Sequence, residues 1–113
     1  MRENKKYNSC VNRAYYSLYQ RILFKLDSLD LLDKVKVECR NQTEKPFKGS
    51  HEFTIEYFLD KGLSKKVLRP RVNTCAYNLK RLRHQADYKK DDMNEIDVND
   101  AIKLAKLFKD LVK

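Results

Sequence analysis

The chain of 113 residues has two glycines, two prolines and no tryptophan. So few turn-forming residues speak against an all-β fold, which needs a turn every few residues. Its three cysteines, Cys10, Cys39 and Cys75, are widely spaced and odd in number. They make neither a disulfide framework nor a zinc-ligand pattern. Cys10 and Cys75 fall within helical patterns and read as semi-buried thiols, which fits a reducing cytoplasm. The charged start "MRENKK" is followed by no apolar run long enough for a signal peptide or a membrane span. A cytoplasmic protein with no membrane association is the expectation.

Charge is what the chain has in quantity. There are 25 Lys and Arg against 16 Asp and Glu, a formal charge of +9. Such a surface attracts polyanions from a distance, so a phosphate-bearing partner such as RNA or a nucleotide is expected. Hydrophobic residues reach 42%, enough for one domain over 1–113 with a modest core.

The apolar spacing is helical. Tyr7, Val11, Ala14, Tyr15, Leu18, Ile22, Leu26 and Leu29 form one stripe and predict a single long helix over 4–33. Its opposite side carries Ser9, Arg13, Tyr16, Gln20 and Phe24, flanked by Asn12, Tyr19 and Leu23, and reads as a second packing surface. Residues 38–50 are polar, hold Pro46 and Gly49, and read as a loop. Ser50 is a plausible N-cap for a short helix over 51–61, with Gly62 as its stop. A third helix is predicted from Val67 or Pro70 to Asp87, with Val72, Cys75, Leu79, Leu82 and Ala86 inward. Residues 89–97 read as a polar connection. A last helix is then capped by Asp97, with Asp100 as its box partner. Four such amphipathic helices pack best as an antiparallel bundle, so the fold class is all-α with four to five helices.

The stretch "RHQADY", residues 83–88, concentrates polar chemistry at the end of the third helix. At 100° per residue, Arg83 falls about 60° from the centre of the core stripe. Asp87 lies four residues on, along the same flank, within reach of a pair. Arg81, His84 and Tyr88 share the side away from the core. No serine elbow, phosphate-cradling glycine loop or metal-ligand spacing is present. His51, the only other histidine, sits in the first turn of the short helix with no ligand partner nearby. What remains is an arginine able to hold a phosphate and a histidine or tyrosine able to move a proton. RNA cleavage by its own 2′-hydroxyl needs those elements and no metal or cofactor. An Arg–Asp pair at a solvated helix end is the plainer alternative.

Two blocks carry a family resemblance. They are "NSCVNRAYYSLYQRILFKL" (8–26) and "SHEFTIEYFLDKGL" (50–63), the latter followed by "LKRLRHQADY" (79–88). In this order they resemble the HEPN superfamily (higher eukaryotes and prokaryotes nucleotide-binding), in particular its small stand-alone prokaryotic members. The resemblance implies an HEPN-like bundle, a homodimer with an RNA-binding cleft between its subunits, and metal-independent endoribonuclease activity. It implies a toxin–antitoxin or phage-defence setting, with a minimal nucleotidyltransferase as antitoxin partner. It carries over Arg83 as a catalytic residue, Tyr88 as a site residue without an assigned role and Arg13 as a first-helix position near the site, but not His84 as catalytic base. With the helix spacing, the candidates are Arg83, His84 and Tyr88 as catalytic and Asp87, Arg13 and Arg81 as supporting residues. The family motif is Arg, four to six residues, then His; here Tyr88 stands where that His would follow Arg83, and His84 is out of register. Counted from Arg81 with the same spacing, the His position holds Ala86. Tyr88 then falls where family antitoxins attach AMP. A catalytically inactive bundle that binds a nucleotide or the nucleotidyltransferase is the alternative the departure leaves open.

Overall fold

A computed structural model describes residues 2–63, 65–88 and 94–112. These are all-helical: five α-helices and two short helical turns, with no strand among the described residues.

Helix α1 (Arg2–Ser28) follows the predicted stripe until Leu26. Val11, Ala14, Tyr15, Leu18, Ile22 and Leu26 are buried, but Leu29 is half exposed. The helix expected to reach residue 33 stops five residues sooner. Asp30 takes a left-handed backbone, φ 59°, and the Leu31 N–H reaches back to the Leu26 carbonyl at 2.8 Å. The Asp30 N–H bonds Asp27 O at 3.0 Å. This 6→1 and 5→2 pair is a Schellman stop, with Asp rather than Gly in the left-handed place. The chain then restarts as α2 (Leu32–Arg40), which takes in residues 38–40 of the expected loop and buries Val35.

The loop that remains is closed by Gln42. Its side-chain amide donates to the carbonyls of Cys39 and Lys48, both at 2.9 Å, and its oxygen accepts from the Lys48 N–H at 2.9 Å. Helix α3 (Ser50–Tyr57) begins at Ser50 itself, and Gly49 occupies the cap position without a side-chain bond. It widens into a π-helical turn, Phe58–Gly62. Gly62 ends the turn but not through a left-handed backbone, since no glycine here has positive φ. Space is the reason: a Cβ on Gly62 would come 2.5 Å from Phe58 Cδ1 and 3.3 Å from Leu26 Cδ2.

A 3₁₀ turn (Lys66–Leu68) leads into α4 (Arg69–Tyr88). All five residues predicted to face inward on α4 are buried, and Ala76 joins them. Helix α5 (Glu95–Leu111) starts one turn before the expected place. Asn94 is its cap, accepting from the Asp97 N–H at 3.0 Å, while the Asp97 carboxylate accepts from the Asn94 N–H at 3.3 Å. Asp97 is therefore the box partner and not the cap. Of the expected polar connection, residues 89–93 lie outside the described residues.

The chain divides into two compact units. One comprises residues 1–18 with 70–113, the other residues 19–69. The first buries Val11, Tyr15 and Leu18 of α1, the inner face of α4, Val98, Ala101 and Phe108 of α5, and Val112 just past its end. Within it the Cys75 thiol donates to the Leu104 carbonyl at 2.9 Å. The second buries Ile22, Leu26, Val35, Ile55, Phe58 and Leu59. No helix among the described residues is long and apolar enough to cross a membrane.

Candidate functional site

Arg83 projects from the flank of α4, beside the buried row of Val72, Leu79 and Leu82. From there it lies against α1. Its guanidinium carbon is 4.8 Å from the centre of the Tyr15 ring and 5.2 Å from that of Tyr16. Those two rings meet edge to face, 5.8 Å apart and inclined by 76°. Arg83 Nη2 donates to the Tyr16 hydroxyl at 3.2 Å. A cation over two aromatic faces is stabilised by their negative π-clouds, by about 0.5–2 kcal/mol depending on how dry the site is. This contact joins "RAYYSLY" to "LRHQADY" across 67 positions of sequence.

The same region holds uncompensated polar atoms. Among the described residues, Arg83 Nε is buried without a hydrogen-bond partner, and so are Asn8 Oδ1 and Asn12 Oδ1 on α1. A buried donor or acceptor left unmade costs about 1–3 kcal/mol. Asn8, Asn12, Tyr15 and Tyr16 fall at i, i+4, i+7 and i+8, so they share one side of α1. Unmet acceptors on one helix and an unmet donor on the other are the sort of feature that marks a site rather than a finished core.

The expected partners of Arg83 are arranged otherwise. Asp87 is exposed and makes no ion pair with it; the arginine turns to Tyr16 instead. His84 and Tyr88 point to the far side of α4, with their rings 4.4 Å apart and tilted by 40°. Tyr88 is 76% exposed. Arg81 and Arg13 are exposed as well. Within one chain, then, Arg83 is separated from the His84–Tyr88 pair by the turn of the helix, and the six residues do not converge on one point. His51 stacks on Tyr19, ring centres 4.1 Å apart. Among the described residues no group of three or more His, Cys, Asp or Glu side chains is placed to hold a metal ion.

Comparison with models of protein families, with curated proteins and with solved structures finds no match. The chemistry is therefore read from the residues. Tyr16, Asn8 and Asn12 are additions that the motif did not single out. The signal for them was present in the aromatic and amide residues on one flank of the first helix. Arg83 is only partly exposed and is oriented by two rings; a guanidinium is the group best suited to hold a planar or tetrahedral anion.

Proposed function

We propose that the chain is a small HEPN-type domain that binds RNA phosphate through Arg83 and acts as a metal-independent endoribonuclease. What carries this reading is the meeting of the two sequence blocks that bear the resemblance: Arg83 of the second lies on Tyr15 and Tyr16 of the first. The all-helical architecture and the +9 charge support it. In this reading Arg83 steadies charge growing on the scissile phosphate, and His84 or Tyr88 carries the proton. Arg13 and Arg81 add positive potential along the strand. The protein works in the cytoplasm as a homodimer whose two copies form one cleft, within a toxin–antitoxin or phage-defence module. Tyr88, 76% exposed, is open to AMP transfer by a partner nucleotidyltransferase.

A second reading has its own support. Because Arg83 and the His84–Tyr88 pair face different ways in one chain, the cluster also suits a non-catalytic bundle that binds a nucleotide or that partner. Cleavage of a mixed RNA pool in EDTA separates the two. The nuclease reading expects Arg83→Gln to lower the rate by at least about 100-fold in protein that remains folded at the assay temperature, with only the modest drop in melting temperature that loss of its ring contacts brings. His84→Ala and Tyr88→Phe then assign the proton carrier. No cleavage by wild-type protein freed of any AMP leaves the binding reading.

A further inference from the structure

The residues of α4 farthest from its buried face are Tyr77, Arg81, His84 and Tyr88. All four are exposed, Tyr77 by 65% and Tyr88 by 76%. Spacings of four, three and four residues set them one above another along the helix. From Tyr77 to Tyr88 the row runs roughly 16 Å. Its members are aromatic or basic and none is acidic. The helix as a whole has five Lys and Arg against the single acid Asp87, and Arg69 at its start pairs with Asp60 at 2.7 Å. These exposed rings take no part in the buried face of α4, which is made by Val72, Cys75, Ala76, Leu79, Leu82 and Ala86.

We infer that this outer face of α4 is a track for single-stranded polynucleotide, with bases stacking on Tyr77 and on the His84–Tyr88 pair and Arg81 holding the phosphate between them. Rings accept any base by its π-face, and a basic groove or ridge follows the backbone without reading sequence. A duplex hides those base faces, so the track selects unpaired strands. At about 3.4 Å per stacked nucleotide, the row covers about five nucleotides. The inference deepens the RNA reading above and rests on it for the identity of the polymer. Tyr77 lies outside the RHQADY stretch, which lets the two be tested apart.

The test is fluorescence anisotropy in EDTA with a labelled 2′-O-methyl oligo-uridylate of about 12 nucleotides. Such a strand lacks the hydroxyl that cleavage needs. Oligo-dT and a duplex of equal length are run beside it, with cleavage of ordinary RNA followed separately on gels. Tyr77→Ala is expected to weaken single-strand binding about tenfold or more. Tyr77→Phe keeps the ring and should bind nearly as wild type, and Val67→Ala, exposed in the 3₁₀ turn that precedes α4, should be unchanged. Binding of both single strands, lost together in Tyr77→Ala, supports the track; a preference between them assigns RNA or DNA. Equal affinity of Tyr77→Ala and wild type, or a duplex bound as tightly as a single strand, overturns the track and leaves the nuclease reading standing. Wild type that neither binds nor cleaves RNA overturns both. Loss of self-association in Tyr77→Ala at unchanged RNA affinity assigns the face to a second copy of the chain and overturns the track as well.

Discussion

The two compact units treat polar groups differently. In the unit of residues 19–69, charge meets charge and amide meets carbonyl. Lys48 pairs with Glu56, Lys61 with Glu38, and Arg69 with Asp60, and Gln42 closes its loop with three hydrogen bonds. In the unit of residues 1–18 and 70–113 lie the three buried side-chain atoms that have no partner among the described residues: Asn8 Oδ1, Asn12 Oδ1 and Arg83 Nε. The contrast separates a part built to hold its own shape from a part that retains unmet polar atoms beside a basic, aromatic surface. Proteins tend to break local rules where they work, so the unmet atoms point to function and the satisfied ones to structure.

If residues 19–69 are the self-contained part, crowding its core should give the largest loss. Gly62→Val places carbon where Phe58 Cδ1 is 2.5 Å away, and Phe58 is fully buried. About 1–3 kcal/mol of stability should be lost in urea unfolding. Gly49 has nothing within 4 Å of an added Cβ. Gly49→Ala should therefore stay within about 0.5 kcal/mol of wild type. Equal effects at the two glycines would show that Phe58 can move aside and that this core is not tightly set.

Next in size is a pair of opposite sign. Gln42→Ala removes three hydrogen bonds to backbone and a long one to the Cys39 sulfur from a partly exposed loop, and should cost about 1 kcal/mol. Asn12→Leu removes a buried oxygen without a partner and should be neutral or up to about 1 kcal/mol stabilising. If the latter instead destabilises as much as the former, Asn12 is satisfied in solution, by a buried water for example. The contrast between the units would then vanish. If it stabilises while RNA affinity falls, the unmet atom is tied to function.

How much of this was legible beforehand follows from what each pattern specifies. The core of α4 was, because its apolar period runs unbroken from Val72 to Ala86. The break in α1 was not, because Leu29 continues the stripe and the stop is made by backbone bonds around Asp30. Helix α2 was read partly as loop because it buries only Val35 among nine mostly charged residues. At α5 two good capping residues lie three apart, and Asn94 won over Asp97 because the pair closes a reciprocal box. The flank position of Arg83 came directly from helical geometry. Its partner did not: Asp87 was nearer in sequence, but Tyr16 offers a hydroxyl, and Tyr15 and Tyr16 together offer two adjoining ring faces.

The smallest expected effect lies at alkaline pH and compares one group from each unit. Burial raises the Cys75 thiol above its ordinary range, outweighing the backbone bond that lowers it. Burial also raises Tyr57, and the neighbouring Glu38 carboxylate adds to the shift. In both cases the folded state holds its proton more tightly than the unfolded state. Their stabilising contribution is complete below the unfolded values, about 8.5 for cysteine and 10 for tyrosine, and is lost as pH rises through the folded ones. Urea midpoints should hold steady to about pH 8.5 and then fall. Cys75→Ala should start from a lower midpoint, since it leaves a small cavity, but the first part of the alkaline decline should flatten. A decline with unchanged slope would shift the titration to Tyr57 and to the unit that otherwise satisfies its polar groups.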